Sequence, residues 1–138
     1  MKIDSIQNGF VIDHITAGKG MEIYQLLDLG NLDCTVALIK NAVSQKMGRK
    51  DIIKIDTQFD LDYDILGYVD PGATICIIHD GELTEKKKLN LPDELEGVLH
   101  CHNPRCISST EQELPQIFRL TDRAKRIYRC IYCETQVK

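Results

Sequence analysis

Four cysteines late in the chain are the residues best placed to do chemistry: Cys101 and Cys106 as C-x4-C, Cys130 and Cys133 as C-x2-C. Each close pair fits a tight turn that aims two thiolates at one point, and two such turns complete a tetrahedron of sulfur. Four sulfurs with no vacant position describe a closed, structural zinc site holding one ion per chain. Two disulfides are an alternative. The opening Met1-Lys2-Ile3-Asp4-Ser5 lacks the charged-then-apolar pattern of a secretory signal, however, and cytosolic thiols stay reduced. An iron–sulfur cluster also takes four cysteines, and spacing alone leaves it open.

Other reactive groups are sparse. A four-cysteine zinc has no place for a reacting water, and no Gly-x-Ser-x-Gly, Gly-x4-Gly-Lys or His-Glu-x-x-His stretch occurs, so an enzyme is not expected. Asp13-His14 comes nearest to a carboxylate–imidazole pair. Neighbours on a regular strand point to opposite faces, so these two are not expected to act together. Lys50 and Lys54 flank Ile52 at spacings of two and share a strand face, and Lys86-Lys87-Lys88 is a second basic cluster. With His14 these lysines suit a polyphosphate; alternatively, the lysine run guards a sheet edge against pairing. Between the cysteine pairs, Arg119, Arg123, Lys125, Arg126 and Arg129 interleave with Phe118 and Tyr128. A zinc ribbon of that kind would track a phosphate backbone and stack bases, while a solvated outer face or an acidic protein partner suits the same residues.

The elements that must position these groups follow from periodicity. Lys2 to Gln7 reads as a strand turned by Asn8-Gly9, with Phe10 to Ile15 returning. Met21 to Leu29 carries a helical apolar stripe stopped by Gly30. Cys34 to Lys40 is an apolar strand, and a polar loop through Met47-Gly48-Arg49-Lys50 leads into a strand over Asp51 to Ile55. Asp60 to Gly67 is a short helix with acidic residues in its first turn, where they complement the helix dipole. Thr74 to Ile78 and Glu82 to Lys88 are strands joined at Asp80-Gly81. The order ββαββαββ predicts an α+β sandwich: a ferredoxin-like antiparallel sheet with two helices on one face.

Pro92 interrupts this pattern, giving domains over residues 1–92 and 93–138. The second is too short for a core of its own, and short strands at Val98 to Leu99, Gln116 to Leu120 and Arg126 to Arg129 would feed the cysteine turns. A small all-β zinc domain of rubredoxin or zinc-ribbon kind is expected, its metal standing in for missing core. The 138 residues are 43% hydrophobic and 28% charged, as in a soluble globular protein, and no apolar run is long enough for a bilayer. The cytoplasm is the expected compartment. A net charge of −4 argues against nucleic acid as the main partner. Cys34 and Cys76 lie in apolar stretches, where cysteine packs as a small hydrophobe.

Taken together, Gly9-Phe10-Val11-Ile12-Asp13-His14-Ile15, Met47 to Ile55, Cys101-His102-Asn103-Pro104-Arg105-Cys106-Ile107 and Cys130-Ile131-Tyr132-Cys133-Glu134 resemble the regulatory chain of aspartate carbamoyltransferase, over essentially the whole length. The resemblance implies a noncatalytic subunit that dimerises through an N-terminal allosteric domain and docks its zinc domain on catalytic trimers. It implies CTP as inhibitor and ATP as activator, sometimes with UTP, in pyrimidine biosynthesis. By position, Ile3, Asp4, Ser5 and Ile6 would line the base and ribose side of the effector pocket, Ile78 and Leu83 its apolar walls, and Val11 would also belong to the pocket. Asp13, His14 and Lys54 would meet ribose and phosphate, Lys86 the triphosphate, and Lys50 a second nucleotide position. Cys76 stands where the family often has an amide that touches the nucleotide, a departure that bears on base selection. Asn103, Tyr132 and Glu134 would belong to the docking surface.

Overall fold

A computed structural model describes residues 6–137, and the chain divides between Asn90 and Leu91 into two compact units. In the first, β1 (Gly9–Thr16) is followed by α1 (Gly20–Leu26), a 3-10 turn (Leu29–Asn31), β2 (Val36–Ser44) and β3 (Gly48–Ile55). Then come α2 (Tyr63–Val69), β4 (Thr74–His79) and β5 (Glu82–Lys88). The strands lie in the order β2-β3-β1-β4-β5, and every neighbouring pair is antiparallel. Through β4 this is the interleaved βαββαβ arrangement of a ferredoxin-like sandwich, with β5 added by a hairpin.

The pleat sorts the side chains. Along β3, Asp51, Ile53 and Ile55 are buried, while Lys50, Ile52 and Lys54 stand on the opposite face. Phe10, Ile12, Ile53, Ile55 and Ile75 form one core with Ile23 of α1 and Leu66 and Val69 of α2, so both helices cover the same face of the sheet. Each fully buried Leu or Ile contributes about 1.5–3 kcal/mol relative to exposure. Helix α2 starts at Asp62, whose Oδ1 accepts from the Asp64 and Ile65 N–H groups at 3.0 and 3.1 Å. That cap satisfies two of the N–H groups a helix start leaves unpaired.

Two local expectations change and a third holds. Most of the strand expected over Lys2–Gln7 lies outside the described residues, but Asn8-Gly9 is no turn. Gly9 already pairs with Ile78, and the Gly81 N–H donates to the Gln7 carbonyl at 2.8 Å, so the chain runs straight into β1. Glycine is needed there for close approach: a Cβ would overlap the Ile55 carbonyl and lie 2.8 Å from the Thr57 nitrogen. The Met47-Gly48 stretch is a tight hairpin between β2 and β3, with Gly48 at φ 78°, which places Lys50 inside β3 rather than in a loop. At Asp80-Gly81 both residues have positive φ, 51° and 80°, as a two-residue hairpin turn requires.

In the second unit β6 (Glu94–Glu96), β7 (Ile117–Asp122) and β8 (Ile127–Cys130) form a sheet in that order, with a one-turn α3 (Ile107–Thr110) between β6 and β7. No strand forms at Val98–Leu99, because Gly97, at φ 74°, ends β6. Leu95, Phe118 and Tyr128 are its large buried side chains, joined by Cys106 and Cys130. The Tyr128 hydroxyl donates to the Pro92 carbonyl at 2.6 Å. No described helix is long and apolar enough to cross a membrane.

Two substitutions separate close approach from capping. Gly9→Ala is expected to destabilise the first unit by about 1–3 kcal/mol through overpacking. Asp62→Ala should cost about 1 kcal/mol through the lost cap. Urea unfolding of the zinc-loaded chain checks both.

Candidate functional site

The four cysteine sulfurs of the second unit all lie within 4.8 Å of one another. Cys101 and Cys133 are 3.6 Å apart, and Cys106 and Cys130 3.7 Å, far longer than a disulfide bond. A tetrahedral zinc with Zn–S near 2.3 Å has S···S edges of about 3.8 Å, so the quartet fits that ion. Local hydrogen bonds build each turn. The Cys106 N–H donates to the Asn103 carbonyl at 3.0 Å, and the Cys101 N–H donates to Gln116 Oε1 at 2.8 Å. The Glu134 N–H donates to the Cys130 carbonyl at 2.8 Å, closing the second turn, and Glu134 itself sits at φ 62°.

Hydroxyls flank the sulfurs: Ser108 Oγ lies 3.0 Å from Cys106 Sγ, and Thr135 Oγ1 3.1 Å from Cys133 Sγ. The Thr135 hydroxyl holds the Cys133 thiol below its ordinary value, at about 6, whereas burial pushes Cys101 up to about 12. Four sulfur ligands complete a tetrahedral shell, so the quartet fits one structural zinc.

Beside it, His100, His102, Asn103, Phe118 and Val137 help line a cleft of about 350 Å³. Asn103 is half-buried: its Oδ1 accepts from the Arg105 N–H at 3.0 Å. The Tyr132 hydroxyl donates to the Pro115 carbonyl at 2.9 Å, and Glu134 is exposed. Phe118 and Tyr128 are each 1% exposed, which removes them as stacking platforms for bases. Arg123 is held by Asp93 at 2.6 Å, and Arg129 donates to the Glu134 carbonyl at 3.0 Å, so the arginine stripe is partly tied into its own unit.

In the first unit, the sheet face away from the helices collects the other candidate residues. Pairing aligns Lys54 with Val11, Val11 with Cys76, and Cys76 with Lys86, a row crossing β3, β1, β4 and β5. Paired residues of antiparallel strands share a face, and three strand spacings set the two lysines about 14 Å apart. Asp13 pairs with Thr74 one step along, and Ile78 with Leu83 one step the other way. Among the described residues neither Lys54 nor Lys86 is matched with a carboxylate. Burial pushes the Cys76 thiol up, against the pull of Lys86. Ile6 is buried, and Ile3, Asp4 and Ser5 lie outside the described residues.

Asp13 and His14 do not point to opposite faces. The pairing of β1 with β3 slips between Ile12 and Ile15, and His14 adopts φ 56°. This bulge turns His14 onto the open face, where Nδ1 meets Thr74 Oγ1 at 2.9 Å. Asp13 Oδ1 is 2.9 Å from Lys50 Nζ and accepts the His14 N–H at 2.6 Å. Burial alone would raise the Asp13 carboxyl, but the Lys50 ammonium and the His14 N–H outweigh it and hold the group below 3.8. A left-handed histidine costs about 1–3 kcal/mol, which the surroundings must hold in place. Thr74 carries no sequence signal of its own; only the strand register brings it to His14.

Comparison with known proteins is consistent along the chain. The family model for the aspartate carbamoyltransferase regulatory chain, allosteric domain, matches residues 1–90, and that for the metal binding domain of the same chain matches residues 93–138. An aspartate carbamoyltransferase regulatory chain of Clostridium botulinum is 49% identical over 134 residues, covering 97% of this chain and 92% of its own. That of Clostridium tetani is 47% identical over 135 residues, covering 97% and 94%. One from Bifidobacterium longum is 41% identical over 138 residues, covering 100% and 99%.

Two outcomes are expected. The metal-free chain should take up one zinc per chain, and chelation or Cys106→Ser should unfold residues 91–138 while the first sheet persists; native mass and amide exchange check this. Because Asp13 titrates below 3.8, the stability of its pair with Lys50 is complete above that pH and is lost as pH falls through the depressed value. Lys50→Met leaves burial opposed mainly by the His14 N–H, so the Asp13 midpoint should move upward, read from its carboxyl-carbon shift.

Proposed function

The chain belongs to the aspartate carbamoyltransferase regulatory chain family, and on that premise we propose that residues 1–92 bind nucleotide effectors and pair with a second copy, while residues 93–138 dock on catalytic trimers. The family is a regulatory chain and not the catalytic subunit, in keeping with a metal centre closed to substrate. CTP as inhibitor, ATP as activator and UTP as a further ligand are the effectors, and the cytoplasm is the setting.

The observation that carries the effector reading is the row from Lys54 through Val11 and Cys76 to Lys86, with its two unmatched lysines. Lysines about 14 Å apart on one open face suit an extended triphosphate, each acting as a point charge. Val11, Ile78 and Leu83 supply an apolar floor, and His14 and Asp13 supply a donor and an acceptor for ribose hydroxyls. Lys50, already bound to Asp13, stands at the margin, where a second nucleotide would compete for it. Ile3, Asp4, Ser5 and Ile6 complete the base side.

Self-association is supported by β2. It is a sheet edge with a continuous apolar run, Val36-Ala37-Leu38-Ile39, and its Val43 is 76% exposed. An edge of that composition is a template for another strand. Docking on the catalytic chain is assigned to the knuckles of the zinc site, with Asn103, Tyr132 and Glu134. An effector changes activity only through unequal affinity for two quaternary states, and a coupling of about 1–3 kcal/mol is several-fold or more in affinity.

The test is the aspartate saturation curve of the cognate catalytic trimer, mixed with zinc-loaded chain, with and without CTP. The curve should change on mixing and shift again with CTP; no change and no complex by native mass would overturn the proposal. Lys54→Ala and Lys86→Ala should each weaken CTP binding by about ten- to a hundredfold, the loss of a charged hydrogen bond worth about 1.5–3 kcal/mol. Isothermal titration measures it.

A further inference from the structure

Among the described residues of the first unit, Asp51 is the one charged side chain with no exposed surface, and no lysine, arginine or histidine forms an ion pair with it. Backbone N–H groups from two separate segments converge on it instead. Its Oδ2 accepts from Gly18 at 3.0 Å and Gly20 at 2.9 Å, and its Oδ1 accepts from Asn41 at 2.8 Å. The glycine-rich connection from β1 to α1 is thus wrapped around an internal carboxylate. Gly20 is fitted to it: a Cβ there would lie 2.8 Å from Asp51 Oδ2.

The place of this carboxylate in the sheet matters more than its burial. Both neighbours of β3 are irregular at its level. β1 slips between Ile12 and Ile15, and Ile15 is the residue paired with Asp51. β2 slips between Ile39 and Ala42, whose partners Ile52 and Lys50 bracket Asp51. Asn41, at φ 60°, is the residue of the β2 bulge whose N–H turns to Asp51. On the β1 side, the strained His14 directly precedes Ile15, and the chain just beyond is pinned twice. Thr16 donates its N–H to Asp70 Oδ2 at 2.6 Å, and Gly18 and Gly20 donate to Asp51. A left-handed histidine persists only where its surroundings over-determine it.

We propose that Asp51 is a positioning residue for the open face: by holding the bulges of β1 and β2 on either side of β3, it sets His14, Asp13 and Lys50 in the geometry that receives a nucleotide. This rests on the effector reading above. It concerns a group that touches no effector, since Asp51 faces the helix side while Lys50 and Ile52 face the other. Loss of the carboxylate removes the acceptor of three N–H groups, that of buried Gly20 and those of Gly18 and Asn41 in part-buried bonds, and the segment freed is the one that fixes His14.

The experiment compares zinc-loaded full-length chains carrying Asp51→Asn, Gly20→Ala or Leu66→Ala. The asparagine keeps the shape but turns an amide donor toward backbone N–H groups. The alanine at position 20 pushes on the carboxylate without removing it. Leu66→Ala, in the core under the sheet, controls for lost stability. Asp51→Asn should weaken CTP binding by at least tenfold in calorimetry and displace the His14 ring resonances of the nucleotide-free chain, and Gly20→Ala should do the same to a smaller degree. Leu66→Ala should lower the melting temperature and leave both readouts in place. If Asp51→Asn does not fold, Gly20→Ala decides. A folded Asp51 variant with wild-type CTP affinity and unmoved His14 resonances would overturn the inference, as would equal losses in Leu66→Ala. If the wild-type chain binds no CTP, the effector reading fails, and the His14 resonances still decide whether Asp51 positions that residue.

Discussion

A five-stranded sheet whose two helices both pack on one side leaves its other side open, and that asymmetry governs the first unit. The period of two along each strand then divides every residue between core and open face, so one set of strands carries two unrelated duties. Ile53 and Ile55 hold the helices while Lys54, between them, is presented outward. The unit gathers basic and apolar groups on the open side without loosening its core, because the two populations never share a face. Where His14 departs from alternation, the departure is a bulge, the device by which a strand redirects a side chain.

The second unit solves the opposite problem. Its sheet has three short strands and three large buried side chains, too little apolar surface for independent stability. Bonds from four sulfurs to one ion replace that missing burial, and the hydrogen bonds around Cys101, Cys106 and Cys130 hold the backbone in the required turns. Metal affinity and folding are one equilibrium there. Among the described residues of the first unit no such cluster of metal ligands occurs.

Much of this was legible in the sequence, where a residue's own chemistry or spacing carries the message. The cysteine quartet declares itself by two short spacings, and Asp80-Gly81 by the turn it demands. Features set by the neighbour were hidden. Asn8-Gly9 has the composition of a turn, yet Gly9 answers to the Ile55 carbonyl packed against it. Asp13-His14 reads as ordinary alternation because a bulge is a property of two paired strands, not of one. Asp51 looks like any charged residue at a strand start, since its partners come from positions 18, 20 and 41. Phe118 and Tyr128 resemble an exposed aromatic pattern until the burial of that sheet face is known.

The two edges of the first sheet are chemically unlike. β2 offers an apolar ladder, whereas β5 is exposed almost throughout and bears Glu82, Glu85, Lys86, Lys87 and Lys88. A strand that joins only its own kind across a twofold axis consumes the available edge in a single event, and the charged margins left outside repel further additions. On the proposed self-association through β2, growth would terminate at a pair. Had both edges been alike, the same sheet would be the repeat unit of a fibre, with no size at which assembly stops.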